Sequence, residues 1–204
     1  IKTIKYKLTE ETLEKDIDKF IYSARGGDFS WDSKYGNEGL NIIKQYFRIL
    51  RDKFNNNEFK FENALEVIFD KNKFNTREIK SGSKLLNIIE DNGYAVHRKS
   101  EYDQRVRVYR LLNPEKISNA KAIFDKVHRI EKFTVIDLIN EANKSAGWNY
   151  MFIKDSAVGF YTNYYRSVDV HHLSVLKEES DGWVSLLKIA GFPNFALPAL
   201  FPGS

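Results

Sequence analysis

The sequence predicts an α+β fold that is mostly helical. Apolar residues recur every three or four positions in several segments, the periodicity of amphipathic helices, and two β-rich runs within residues 94–112 flank a short polar linker, as in a hairpin. The chain has 204 residues, 42% of them hydrophobic, and no cysteine, which excludes disulfides, thiol nucleophiles and cysteine-ligated zinc. No apolar run is long enough to span a membrane, so we expect no membrane partner and a cytoplasmic location.

The first elements are helical. Residues 9–24 place apolar side chains at helical spacing, and a glycine-rich loop with aromatic anchors is expected up to Gly39. A second helical stripe runs from Leu40 to about Lys53. The chain starts at Ile1 without an initiator Met, so we expect it to be part of a longer protein, with residues 1–39 as an N-terminal segment.

The clearest local organisation follows. Residues 59–61 predict a short strand, and residues 64–69 place apolar side chains on one face of a helix. Asn75 and Glu78 have the spacing of a capping box at the start of another helix, and Gly93 is a natural residue to end it. The apolar residues that we expect this helix to bury are Ile79, Leu85, Leu86 and Ile89.

Two β-rich runs close the unit, at residues 94–99 and 105–112, with Pro114 as a boundary. The order helix, short strand, helix, helix, hairpin over residues 40–112 resembles the winged-helix family of DNA-binding domains, a form of helix-turn-helix. The resemblance implies that residues 76–91 are a recognition helix in the major groove. It implies that residues 94–112 are a wing on the DNA backbone or in the minor groove, with double-stranded DNA as the partner.

The distribution of charge agrees with this interpretation. Residues 38–114 carry 15 basic and 11 acidic side chains, whereas the flanking parts are balanced, so the whole net charge of +4 belongs to this unit. Arg, Lys and Asn suit base edges, and small hydroxyl residues let a backbone approach phosphates. The candidate DNA-binding residues are Thr76, Arg77, Lys80, Ser81, Lys84 and Asn87 on the helix, and His97, Arg98, Lys99, Arg105 and Arg107 on the hairpin.

The second half, residues 114–190, predicts a weaker copy of the same arrangement over 116–190. A helix at 117–130 precedes Glu131–Val135, which resembles Glu58–Phe61 of the first unit. A cluster of aromatic residues then favours either a packed core or a protein interface, with a homodimer or the rest of the parent protein as the partner. Its members are Trp148, Tyr150, Phe152, Phe160, Tyr161, Tyr164 and Tyr165. Residues 191–204 form an apolar, proline-rich tail.

Other function classes stay open. The chain would be the recognition part of a replication initiator, a regulator or a restriction enzyme, and a protein-interaction scaffold is the main alternative. A magnesium nuclease would need an Asp followed by an acid-x-Lys triple. Two sets of residues fit this pattern: Asp70 with Glu78–Lys80, and Asp52 with Glu58–Lys60. However, a chain with 29% charged residues produces such triples by chance. Adjacent His171 and His172 would point to opposite faces of a strand. We therefore expect no catalytic residue, metal or cofactor.

Overall fold

The computed structural model describes residues 31–152, 171–192 and 195–196. The fold is α+β and mostly helical, as predicted. The helices of the described residues are α1 (Trp31–Phe54), α2 (Phe61–Phe69), α3 (Thr76–Asp91), α4 (Pro114–Val127), α5 (Val135–Ala146) and α6 (Ser180–Ile189). The strands are β1 (Phe59–Lys60), β2 (Ala95–Lys99), β3 (Arg107–Leu111), β4 (Tyr150–Phe152), β5 (His171–Val175) and β6 (Phe195–Ala196).

The chain divides into two compact units, the first ending at Leu111 and the second beginning at Leu112. The helix predicted for residues 9–24 lies outside the described residues, as do four members of the predicted aromatic cluster. Those four are Phe160, Tyr161, Tyr164 and Tyr165. No helix of the described part is both long and apolar enough to cross a bilayer.

Helix α1 begins at Trp31. The prediction of a loop up to Gly39 is therefore wrong for residues 31–39, which are helical. Gly36 and Gly39 suggested a loop, but each glycine in a helix costs only about 1 kcal/mol relative to alanine. No proline lies between residues 31 and 54, and the amphipathic stripe that starts at Leu40 continues the same helix. Helix formation is cooperative, so a strong segment extends through weaker neighbours.

Both ends of α3 form as the sequence predicts. The Glu78 backbone N–H donates to the Asn75 side-chain oxygen at 2.9 Å, and the Asn75 N–H donates to the Glu78 carboxylate at 3.0 Å. At the other end Gly93 has φ = +77°, and its N–H donates to the Glu90 carbonyl at 2.9 Å. The Tyr94 N–H donates to the Ile89 carbonyl at 3.1 Å, which completes a Schellman motif and turns the chain directly into β2.

The first unit holds a three-stranded sheet in the order β1-β3-β2. Strands β2 and β3 form the predicted hairpin, with Lys99 opposite Arg107 and Ala95 opposite Leu111, and β1 pairs antiparallel with β3. Helices α1, α2 and α3 pack with the sheet around one apolar core. Its largest fully buried members are Ile43, Tyr46, Leu50, Leu65, Ile68, Leu85, Leu86, Ile89, Tyr109 and Leu111.

Gly82 brings α3 close to α2. A Cβ atom at this position would lie 2.1 Å from Cδ2 of Leu65, a side chain that is itself buried. Only a residue without a side chain therefore fits the present packing. Gly82 therefore lies on the inward side of α3, with the buried residues Leu85, Leu86 and Ile89.

The second unit differs from the first where a strand was expected. Residues 131 and 132 lie in a turn, with Lys132 at φ = +61°, and residues 133 and 134 are irregular, so the predicted counterpart of Glu58–Phe61 is wrong as a strand. Thr134 instead caps α5 in a capping box with Asp137, whose carboxylate accepts from the Thr134 N–H at 2.7 Å. Among the described residues, a sheet in the order β4-β5-β6 follows, in which β5 and β6 are parallel.

The core of the second unit is centred on two tryptophans. Helix α4 packs against α5 and α6 and buries the side chains that the sequence predicted: Ile117, Ala120, Ile123, Phe124 and Val127. The rings of Trp148 and Trp183 lie 5.7 Å apart, and both are almost fully buried. Trp148 therefore packs in the core of its own unit, which is one of the two uses predicted for the aromatic cluster.

Candidate nucleic-acid interface

Helix α3 presents one continuous polar face to solvent. Glu78, Leu85, Leu86 and Ile89 are buried, so the opposite side of the helix points outward. The exposed side chains there recur at three- and four-residue spacing and therefore project together. We call this surface the basic face; its members are Thr76, Arg77, Lys80, Lys84 and Asn87.

Two residues of α3 exchange the places that the sequence predicted for them. Ser81, expected on phosphate, is only 6% exposed, whereas Ile79, expected in the core, is 43% exposed. Ser81 and Gly82 lie on the side of α3 that packs on the rest of the unit, and the contact between Gly82 and Leu65 holds them there. Ser81 is therefore not a DNA-contacting residue in this structure.

Within the part of the chain that the structure describes, the lysines of the basic face have no internal counter-charge. The described residues provide no ion-pair partner for Lys80 or Lys84. Lys71, just before the helix, instead pairs with Glu78. Burial raises the pKa of the Glu78 carboxyl, but hydrogen bonds from Lys71 and from the Asn75 N–H outweigh it and hold that pKa below its usual range. The buried carboxylate of Glu78 near the start of α3 therefore stays ionised, and Lys71 balances its charge.

The hairpin divides its cations between two faces, as the alternation of strand residues requires. Lys99 and Arg107 are directly opposite each other and share the face that carries His97 and Tyr109. Both cations are exposed. Like charges directly opposite each other destabilise a sheet, so this arrangement costs stability unless an anion lies between them.

His97 connects this hairpin face to α3. Its Nδ1 lies 2.6 Å from the Glu90 carboxylate near the end of the helix, and its ring lies 5.5 Å from that of Tyr109. His97 is only partly exposed. In this structure the contact with Glu90 gives His97 a positioning role between helix and hairpin, while its phosphate contact remains a prediction.

Arg98 points to the other face, where it pairs with acids of its own unit. Its guanidinium donates to the Glu58 carboxylate at 2.8 Å and to Glu101 at 3.3 Å. The hydrogen bond to Glu58 raises the pKa of Arg98 further above its usual value. Arg98 thus joins the residue before β1 to the hairpin, and an internal acid engages it where a DNA contact was predicted.

Arg105 lies in the loop of the hairpin and is 91% exposed. Its guanidinium donates to Asp103 at 3.1 Å, and the same contact lowers the pKa of the Asp103 carboxyl. Ion pairs exposed to this degree contribute little, so Arg105 can exchange Asp103 for another anion. It remains a candidate at the edge of the surface.

A nuclease site does not assemble from the residues proposed for it. Glu78 is occupied by the capping box and Lys71, and Asp70 ends α2 in a left-handed conformation at φ = +53°. Glu58 is engaged by Arg98. Among the described residues no group of three His, Asp or Glu side chains is arranged to hold a metal ion.

Sequence reasoning missed two features of this region. Tyr102 is 99% exposed in the hairpin loop, and it borders a cavity of about 320 Å³ with Glu58 and Arg98. Gly82 sets the orientation of α3, although only its place between two serines was visible in the sequence. Comparisons with protein-family models, curated proteins and solved structures give no match to this chain.

Proposed function

We propose that the first unit binds double-stranded DNA in the manner of a winged-helix domain. In this proposal α3 lies in the major groove with its basic face toward the DNA, where its cations reach phosphates at the edges of the groove, and the β2–β3 hairpin lies on the phosphate backbone. The observation that carries the proposal is the exposure of Arg77, Lys80 and Lys84 together on the outer face of α3. Replication initiators, regulators and restriction enzymes use modules of this class, and the chain would supply the recognition step.

The topology supports the proposal. Helix, short strand, two helices and a hairpin follow one another along residues 31–111, and β1 pairs with the second strand of the hairpin. The Schellman motif at Gly93 leads α3 directly into β2, and the contact between His97 and Glu90 holds the hairpin beside the helix. One rigid support therefore carries both the helix and the cationic pair Lys99 and Arg107.

The electrostatics support it as well. Internal acids engage Lys71 and Arg98, whereas Lys80, Lys84 and Lys99 have no such partner among the described residues. A phosphate backbone supplies the missing anions, and the release of its counterions favours binding. The opposed pair Lys99 and Arg107 would gain most, because one phosphate relieves the repulsion between them.

Fluorescence anisotropy with a labelled random duplex tests the proposal. If Arg77, Lys80, Lys84, Lys99 and Arg107 each reach a phosphate, the logarithm of affinity should fall with the logarithm of salt concentration with a slope of about −4.5. Affinity that does not depend on salt, or absence of binding at low salt, would contradict the proposal. The alternative of a protein-interaction scaffold would then take its place.

A further inference from the structure

Ile79 is an apolar residue beside an otherwise polar surface. It is 43% exposed, and it is the only large aliphatic side chain exposed among residues 43–111. Isolated exposed apolar residues are common, but this one borders the basic face on which the proposed function depends. Its surroundings therefore indicate what kind of ligand it meets.

The position of Ile79 places it where bases are read. It follows the Asn75 cap by four residues and lies one turn of α3 from Thr76 and Ser83, with Lys80 next along the chain. In helix-turn-helix proteins the N-terminal residues of the recognition helix contact base edges. Ile79 is thus the apolar member of a surface that otherwise offers hydrogen-bond donors and charge.

We infer that Ile79 contacts the C5-methyl group of a pyrimidine in the major groove, an inference that rests on the proposed function. Among the base edges in that groove, thymine alone presents an apolar substituent, and 5-methylcytosine carries a methyl group at the same ring position. An aliphatic side chain has no hydrogen bond to offer other bases. The contact specifies a sequence with thymine, or methylated cytosine, opposite the first turns of α3.

A structural role for Ile79 is tested separately. Phe74 precedes the Asn75 cap and Ile79 occupies the fourth helical position, which is the spacing of a hydrophobic staple. Truncation of a staple lowers thermal stability but does not make binding depend on a methyl group of the DNA. Sensitivity to that methyl group therefore separates base reading from helix stabilisation.

The experiment begins with selection of a bound sequence from a random duplex pool, using the full chain. Each thymine of that sequence is then replaced singly by deoxyuridine, which lacks only the methyl group, and affinity is measured by fluorescence anisotropy. At one position we expect about a fourfold loss, the value of one methyl-sized group removed from water. Cytosine at that position should bind weakly, and 5-methylcytosine should recover the methyl-dependent part.

Three variants complete the test. Ile79→Ala should bind the thymine and deoxyuridine duplexes equally, while Ile79→Val, which keeps a branched side chain, should retain most of the discrimination. Ile88→Ala is the control, because Ile88 is a partly exposed aliphatic residue of the same helix far from its N-terminal end; it should discriminate like the parent chain.

The possible failures are distinguishable. If no duplex binds at low salt, the proposed function itself fails. If duplexes bind but no thymine can be distinguished from deoxyuridine, or if Ile79→Ala still distinguishes them, the inference about Ile79 is overturned and duplex binding stands.

Discussion

The carboxylate of Glu90 lies 2.6 Å from Nδ1 of His97 and so connects the end of α3 to the first strand of the hairpin. Glu90 is 9% exposed, and His97 is the only histidine in the sequence of the first unit. The pair spans the turn at Gly93, where the chain passes from helix to strand. It therefore sets the angle between the two parts that we propose to contact DNA together.

Removal of the histidine should destabilise the unit. His97→Ala leaves the Glu90 carboxylate buried without this partner, and such losses cost about 1–3 kcal/mol. Chemical denaturation followed by circular dichroism should show the decrease. His97→Gln, which can still donate a hydrogen bond, should recover part of it; equal stability of His97→Ala and the parent chain would show that the contact contributes nothing.

Stability should depend on the ionisation of Glu78. Its folded pKa lies below the ordinary value of 4.5, because hydrogen bonds from Lys71 and the Asn75 N–H outweigh the effect of burial. Ionised Glu78 therefore stabilises the fold above pH 4.5, and this stabilisation is lost as the pH falls through the folded pKa. Glu78→Gln should be less stable than the parent at pH 7, and the difference should shrink in acid.

Thermal unfolding as a function of pH measures this effect. Glu66→Gln is the matched control, since Glu66 is exposed on α2 and has no ion-pair partner among the described residues. Its difference from the parent should be small at pH 7. A Glu78→Gln variant with the same stability as the parent across this range would refute the role of the carboxylate.

Replacement of Lys99 by an acid should stabilise the hairpin and weaken duplex binding. Lys99→Glu replaces the like-charge pair with Arg107 by an opposite-charge pair, which should stabilise the hairpin by about 0.2–1 kcal/mol. The same change should weaken duplex binding and reduce the salt slope by about 1 through the lost phosphate contact. Parallel melting and anisotropy measurements test both parts; a variant that melts higher but binds equally well would remove Lys99 from the interface.

In the second unit, Gly182 should not tolerate a side chain. A Cβ atom there would lie 2.3 Å, 2.4 Å and 2.9 Å from atoms of the buried Trp148 ring. Such overpacking costs about 1–3 kcal/mol, and the gain in helix propensity is at most about 1 kcal/mol. Gly182→Ala should lower the melting temperature, whereas Ser118→Ala, at an exposed position of α4, should not.

The features that the sequence predicted correctly depend on neighbouring residues. Asn75 and Glu78 form their capping box within one helical turn, and α3 ends at Gly93, where the N–H groups of Gly93 and Tyr94 donate to the carbonyls of Glu90 and Ile89. The hairpin likewise follows from two nearby β-rich runs, although its register was not predicted. Short-range interactions were enough to predict the cap, the helix end and the hairpin. Helical periodicity correctly predicted that Arg77, Lys80 and Lys84 are exposed together on α3.

The errors arise from contacts between distant parts of the chain. The burial of Ser81 and exposure of Ile79 depend on how Gly82 packs against Leu65 in α2, which periodicity alone does not specify. Arg98 pairs with Glu58, a residue 40 positions away. The sequence of its own strand therefore could not predict this ion pair. The number of cations could be counted from the sequence. Which of them pair with internal acids, as Arg98 and Lys71 do, could not be predicted from it.

The most direct test of the account is charge reversal on the basic face. Lys80→Glu with Lys84→Glu is compared with Lys44→Glu and Arg48→Glu, an exposed pair with the same four-residue spacing and the same change in charge on α1. Anisotropy with one labelled duplex at fixed low salt should show loss of binding for the α3 variant and near-parental affinity for the α1 variant, with both folded by circular dichroism. Equal affinities for the two variants would contradict the proposal that α3 is the DNA-binding helix.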